Sequence, residues 1–514
     1  MKRWVSALAL LAGTAPGQYV GSKSCAPCHP AHYRGFQQTP MARSLAALTS
    51  TVAPEFNKPV QFFHPKTGRR YRVFRKQSEF LIEEFFLDRN RRLVYSEPRR
   101  VRYGIGSGNH ARSFLVERWG RLYQAPVTFF QQAGHWDMSP GYDTADYVGF
   151  TRRVTSNCLF CHGGDSAEVA IGCERCHGPG QQHLVVNPAK LAPELRDQVC
   201  EQCHLFGAAR VAQPGRSPAD YRPGQPLGAV LAIYAYDTTG AGEPTVTGHP
   251  QEMKQSDCWQ KSSGKLWCGS CHEVHAKAPV DYRARCLGCH QQAHQRERDC
   301  IACHMPKRPV TESAHVTFTD HRILRLPQED RQPQPATAKL KLILPAEQDD
   351  PVVATRNLGF AYAELASSTG REEFHRKVVE TLQPLVGTSV AGAAFWLNLA
   401  EAHLAGGEIA QSEEAFRKAA ELDAGSASAH YSLGYAFQLR GKLPEAIQAY
   451  RRALEADPYK AEALGNLAAA YSKMGEHGQA VKAWEAAIQL EPGNLRWRAA
   501  AESAAKSHQP RSGR

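Results

Sequence analysis

Fourteen of the fifteen cysteines in this chain fall into seven C-x-x-C-H units: Cys25/Cys28/His29, Cys158/Cys161/His162, Cys173/Cys176/His177, Cys200/Cys203/His204, Cys268/Cys271/His272, Cys286/Cys289/His290 and Cys300/Cys303/His304. No other feature restricts the fold so strongly, because two thiols and an imidazole must converge seven times over. Three chemistries use such residues. A structural zinc site takes C-x-x-C pairs but does not require histidine directly after the second cysteine, and its second ligand pair usually sits further along the chain. A disulfide framework leaves the histidines without a role. A covalently attached c-type haem needs both parts: two thiols that add to its vinyl groups and an adjoining imidazole that reaches the iron. The repetition selects haem, and the expectation is seven covalently bound c-type haems. Cys258 lies outside the motifs and is expected to be an unpaired buried thiol, with an iron–thiolate ligand as the other reading.

The start of the chain agrees with this chemistry. Lys2 and Arg3 precede an apolar run from Trp4 to Ala12 and then small residues with Pro16 and Gly17, so residues 1–18 read as a secretory signal peptide. The run is well short of the roughly twenty residues needed to span a bilayer. Membrane association is therefore expected only through partners or an uncleaved N-terminus. Covalent haem attachment takes place on reduced thiols after export, so the mature protein is expected to be periplasmic or exported.

A six-coordinate haem iron needs a second axial ligand. Before residue 331 there are ten histidines outside the motifs: His32, His64, His110, His135, His183, His249, His275, His294, His315 and His321. His183, His275 and His294 each follow a motif histidine by only a few residues, too close to reach round the same haem, so each is expected to ligate a neighbouring one. His315 and His321, in AHVTFTDHR, are expected to return to an earlier haem on a short extended segment. Hydrogen bonding to a haem propionate is the competing role for all five. His110 is a further candidate, with Arg112 as a propionate partner, because the glycines of YGIGSGNHARSFL let backbone approach a flat haem face. A phosphate cradle at these glycines lacks the strand, helix and acidic residue that a dinucleotide site requires. GHWDMSPGYD, with His135 and Met138, reads as a buried aromatic turn or a pocket lining.

AIGCERCHGPG with its following histidine, then DQVCEQCH, resembles the cytochrome c-554 type of multihaem cytochrome, related to the haem arrays of hydroxylamine oxidoreductase and pentahaem nitrite reductase. The resemblance spans about residues 20 to 210, and CERCHGPG is its most specific piece. It implies closely packed haem pairs and suggests His183 as ligand to the haem on Cys25 and Cys28. One departure stands out. Where that family places a distal histidine about a dozen residues after the first motif, this chain reads TPMARS, leaving Met41 as a thioether ligand or as ordinary packing. GKLWCGSCHEVH, CLGCH and CIACHMP resemble the paired modules of larger multihaem cytochromes that carry C-terminal helical repeats.

The predicted fold class is mostly α with a β insert: a heptahaem cytochrome c domain with little regular structure over 19–325, then an α-solenoid. Alternation through Tyr71, Val73 and Arg75, and through Phe80, Ile82, Glu84 and Phe86, places an antiparallel β-insert at about 58–103. Glycine and proline between 207 and 255 predict long loops, and residues 326–350 read as a linker. From 351 to 506 a 34-residue period runs through Ala400, Gly434 and Ala468, through Gly407, Gly441 and Gly475, and through Phe416, Tyr450 and Trp484. These are identified as tetratricopeptide repeats, three of them clear and a degenerate pair at 352–386, followed by a tail at 507–514. Their concave face is expected to hold a protein or peptide.

Lys and Arg exceed Asp and Glu by twelve overall, yet residues 351–514 hold eighteen of each sign, so the whole excess lies with the motifs. Haem propionates buried there need basic partners, which accounts for the charge without nucleic acid. The leading expectation is a carrier that passes electrons between redox protein partners. The alternative is an oxidoreductase acting on a small nitrogen or sulfur compound at one open-coordinated haem. With histidine in every motif, no haem is marked as catalytic.

Overall fold

The computed structural model describes residues 18–49, 53–106, 108–146, 149–163, 169–183, 185–237, 245–276, 280–290, 299–310, 312–325, 339–344 and 350–508. The expected signal peptide, most of the expected linker and His294 lie outside them.

The first surprise is the extent of the sheet. Eight antiparallel strands run from residue 45 to 138: β1 (Leu45–Ala47), β2 (Val60–His64), β3 (Arg69–Lys76), β4 (Glu79–Leu87), β5 (Leu93–Ile105), β6 (Ala111–Arg118), β7 (Arg121–Phe130) and β8 (His135–Met138). β2 to β8 pair in sequence order and β1 adds to β5. The predicted insert at 58–103 is thus only its first half, and the expectation of little regular structure is corrected. Two-residue periodicity explains why it curls over one core: Tyr71, Val73, Phe80, Ile82, Phe114, Val116, Val127 and Trp136 all turn to the same buried cluster with Phe56 and Phe150. A register shift between Val101 and Tyr103 bends the long strand β5 where the sheet turns.

The glycines of YGIGSGNHARSFL belong to this sheet. Gly106 and Gly108 take φ of 109° and 74° in the β5–β6 connection, and a Cβ on Gly108 would meet the Arg112 guanidinium at 2.3 Å. Arg112 itself pairs with the buried Glu55 at 3.1 Å, so its partner here is a carboxylate of the chain. Of the two readings of GHWDMSPGYD, the buried aromatic turn holds: Trp136 and Met138 enter the core.

Beyond the sheet the chain forms short helices and loops, with strands β9 (Ala209–Ala212), β10 (Leu231–Tyr236), β11 (Lys307–Pro309), β12 (Thr317–Thr319) and β13 (Leu340–Leu344). β13 pairs antiparallel with β10, which pairs with β9. Part of the expected linker is therefore a strand of a three-stranded sheet.

The C-terminal helices form hairpins: Pro351–Thr369 with Glu372–Leu382, Ala393–Ala405 with Ile409–Leu422, Ala427–Leu439 with Leu443–Ala456, and Ala461–Lys473 with His477–Leu490, closed by Leu495–His508. Small residues permit the close crossings. A Cβ on Gly434 would lie 2.8 Å from the Tyr450 ring, and one on Gly465 2.8 Å from Trp497. The first hairpin shares a core with β9, β10 and β13 through Val211, Tyr234, Leu340, Tyr362 and Phe374. Later hairpins seat on the large sheet. Arg121 Nη1 donates to both carboxylate oxygens of Asp457 at 2.7 and 2.6 Å, Trp119 stacks on Tyr459 at 5.1 Å, Arg69 donates to Gly493 O at 2.7 Å, and Arg118 donates to Leu490 O. Among the described residues no helix is long and apolar enough to cross a membrane.

Candidate metal centre

Each motif sits on a single helical turn, and this local geometry makes the site. In a turn of 3.6 residues, positions i, i+3 and i+4 share one face, so both cysteines and the histidine project together. The turns are closed by i+4 bonds: His29 N to Cys25 O at 2.9 Å, His177 N to Cys173 O at 3.1 Å, His272 N to Cys268 O at 2.9 Å and His290 N to Cys286 O at 2.9 Å. Asp281 and Asp299 start the sixth and seventh motif helices by accepting from Ala284 N at 2.9 Å and Ile301 N at 3.0 Å.

Loops bring the motifs to one another. The buried Glu174 accepts from Val20 N and Gly21 N at 3.0 and 2.7 Å and from Gly180 N at 2.5 Å, tying the third motif to the segment before the first. The glycines of CERCHGPG are required by this clip. Gly178 has φ 85°, and a Cβ on Gly180 would lie 2.7 Å from Val20. Gly35 does the same for the tail of the fifth motif, since a Cβ there would lie 2.2 Å from His275 O.

The fourteen motif thiols are not equally enclosed. Thiols of different motifs meet in pairs: Cys161 with Cys203, Cys200 with Cys268 and Cys286 with Cys300. Cys28, Cys158, Cys289 and Cys303 are instead exposed. In the seventh motif the two thiols therefore part company, Cys300 meeting the sixth motif while Cys303, one helical turn on in Cys300–His304, opens to solvent. Among the described residues no cysteine joins a group of three or more convergent metal-ligating atoms, and all fifteen are free of disulfides.

The imidazoles converge in couples. His177 and His275 have ring centroids 6.0 Å apart with planes inclined by 21°, His204 and His249 are 6.2 Å apart at 25°, and His272 and His321 are 6.2 Å apart at 29°. In each of these three couples one member is a motif histidine and the other is not, while closer pairs join histidines outside the motifs: His249 with His321 at 4.5 Å, His135 with His315 at 4.7 Å and His32 with His275 at 4.9 Å. Two imidazoles bound at about 2 Å on opposite sides of one metal ion have ring centroids about 6 Å apart. All three couples meet that spacing.

The second nitrogens are arranged to match. His177 Nδ1 donates to Val186 O at 2.8 Å, His304 Nδ1 to Leu324 O at 2.6 Å and His321 Nδ1 to Thr319 O at 2.8 Å, which leaves Nε2 as the lone-pair nitrogen. His249 Nδ1 is buried with no partner among the described residues. Burial, with the neighbouring imidazoles of His321 and His204, pushes the His249 pKa down to about 3. Burial also lowers those of His162, His204, His272, His275 and His321. These rings are neutral at neutral pH, the state a metal ligand needs.

The candidates from sequence fare unequally. His275 and His321 each face a motif histidine, and His275 also lies 4.9 Å from His32. His183 is exposed on a 3-10 turn with φ 56°; its segment touches the chain ahead of the first motif, Gln181 Oε1 accepting from Gln18 N at 2.7 Å. His110 Nδ1 accepts from Gln132 at 2.7 Å and its ring stacks on Phe318 at 4.3 Å, with Phe318 also 5.7 Å from His249. His315 pairs with Asp137 at 2.8 Å rather than with a motif histidine. Met41 lies half-buried in a 3-10 turn, and Cys258 is half-buried near the thiol of Cys289. Sequence reasoning singles out neither His249 nor His32; no local pattern distinguishes them from the other spare histidines.

At the other end of the molecule the stacked hairpins define an α-solenoid, a class built to present an extended binding surface to other proteins. Residues 397–461 and 461–494 match tetratricopeptide repeat families, and these C-terminal helices are tetratricopeptide repeats. Among solved structures, MamA is 25% identical over 28% of this chain and 82% of its own, with a TM-score of 0.26. A thermophilic tetratricopeptide repeat protein of Thermus thermophilus is 21% identical over 29% of this chain and 81% of its own, with a TM-score of 0.27. No curated protein matches the chain.

Proposed function

We propose that this chain is a multihaem c-type cytochrome that moves electrons between protein partners, with its tetratricopeptide repeats as the docking surface. The observation that carries the reading is the three imidazole couples at 6.0–6.2 Å, each pairing a motif histidine with one from a distant segment. The donor set fits the group: paired thiols and an imidazole on one helical turn, a second imidazole 6.0–6.2 Å away at three motifs, and the Nδ1 atoms of His177, His304 and His321 committed to backbone carbonyls. When bound, a bis-histidine haem supplies reversible one-electron transfer with little change at its ligands. The chain's own part is to fix both imidazoles, keep them neutral and hold successive motifs in contact. His183 as a ligand at the haem on Cys25 and Cys28, as the resemblance implies, belongs to the same reading, as does maturation outside the cytoplasm.

The test begins with the mature protein: intact mass and pyridine haemochrome absorbance are expected to give seven haems per chain. Fourteen freely titrating motif thiols would overturn the reading. His249→Ala is then expected to convert one low-spin haem to high-spin in the EPR spectrum of the oxidised protein, with His64→Ala as the silent control, since His64 is engaged by Thr67 and Asp143.

A further inference from the structure

We propose that His135, Asp137 and His315 form a binding site for a divalent transition ion of the zinc class, separate from the C-x-x-C-H motifs. Their ligating atoms all lie within 4.8 Å of one another. Strand alternation explains the first two: His135 and Asp137 sit two apart on β8 and share a face, while Trp136 between them turns into the core. His315 arrives from a different segment, just before β12, with a left-handed backbone of φ 61°.

Several contacts hold the three groups in place. Gln132 Oε1 accepts from Thr317 N at 2.9 Å and its Nε2 donates to Thr317 O at 3.3 Å, which fastens the β12 segment to the β7–β8 turn. The Phe130 ring meets His315 edge-on at 5.0 Å. His135 Nδ1 donates to Ala133 O at 3.4 Å and leaves Nε2 as the lone-pair nitrogen. The two imidazole centroids are 4.7 Å apart at 74°, a crossed arrangement that differs from the near-parallel couples of the motifs, and His315 Nε2 meets Asp137 Oδ2 at 2.8 Å, a contact the ion would replace.

The donor set decides the ion. Calcium and magnesium take oxygen ligands, whereas two imidazoles and one carboxylate suit zinc and its neighbours. His135 and His315 are exposed, so the remaining coordination position faces water and is open to an exogenous ligand.

Equilibrium dialysis of the EDTA-treated full-length protein against Zn²⁺, read by elemental mass spectrometry, tests the site. Wild type is expected to hold one more zinc per chain at limiting concentration than His135→Ala, His315→Ala or the shape-preserving Asp137→Asn, with affinity for that ion falling at least tenfold. His375→Ala, on a distant repeat helix, is expected to match wild type. The comparison isolates this ion whether or not the motifs carry haem. Equal zinc binding by wild type and all three site variants would overturn the proposal, as would a change in the visible haem spectrum on His315→Ala, which would make His315 an iron ligand.

Discussion

Replacing Glu84 by glutamine is expected to stabilise the protein at high pH and leave it unchanged at low pH. Glu84 lies on β4 at 0% exposure, where it accepts from Tyr71 OH at 3.0 Å and Tyr95 OH at 2.5 Å, with Arg69 Nε at 3.5 Å. Burial is the dominant influence and pushes its carboxyl from 4.5 up to about 7, against the opposing pull of Tyr95 and Arg69. Because the folded-state pKa is raised, the folded protein keeps this proton when the unfolded chain has released it. The stability is therefore fully present below the unfolded value and is lost as pH rises through the folded one. At 1.36 kcal/mol per pKa unit, a rise from 4.5 to about 7 amounts to about 3 kcal/mol by pH 8. The substituted amide imitates the protonated carboxyl and carries no such loss. Urea unfolding followed by far-UV circular dichroism, wild type against E84Q, is expected to give equal stability at pH 4 and a variant up to about 3 kcal/mol more stable at pH 8. Other raised carboxyls, Glu252 and Glu491, are present in both proteins and cancel. A difference independent of pH, or one that favours wild type as pH rises, would refute the argument.

Two further substitutions probe how the parts are joined. Arg121→Ala removes the two-pronged contact to Asp457; a loss of about 1–2 kcal/mol is expected at the seam, read as faster amide exchange in residues 457–460 and 490–493, with the sheet itself unchanged. Gly180→Ala puts a methyl 2.7 Å from Val20; overpacking of about 1–3 kcal/mol is expected to lower the melting temperature and to speed proteolysis before the first motif, whereas Gly392→Ala, where a Cβ meets nothing within 4 Å, leaves that proteolysis as in wild type.

What the sequence makes legible here follows from the range of the interactions involved. The motifs are local: two thiols and an imidazole share one helical turn, so their spacing is written into five residues. The repeats are legible because each hairpin packs on its neighbour with the same small and aromatic residues every 34 positions. The sheet is legible only where alternation is regular; β6 to β8 are obscured by a glycine-rich connection, because glycine serves a tight turn and a ligand approach equally well. β13 is hidden for a related reason, since the apolar run Leu340–Leu344 reads as a strand only once β10 is known to lie beside it. The opposing histidines are the least legible. His249 reaches His204 from 45 residues away and His321 reaches His272 from 49, distances over which loop paths decide the meeting and no residue pattern records it. The same holds for the thiols: nothing in CIACH tells that Cys300 turns inward to another motif while Cys303 stays in solvent.

The attachment of the repeats at both ends has a mechanical consequence. A solenoid anchored at one end behaves as a spring-loaded arm, able to sweep and stretch as its hairpins slip past one another. Here the first hairpin is built into the β9–β10–β13 core and the last ones are pinned to the large sheet, so the repeats form a closed handle rather than an arm. On the proposed function, a partner grasping that handle would be held at a set distance and angle from the imidazole couples on every visit. No tether has to be searched or straightened. Electron transfer, as proposed, slows steeply with separation, so a rigid grip would select partners by fit to a fixed gap as much as by affinity for the groove.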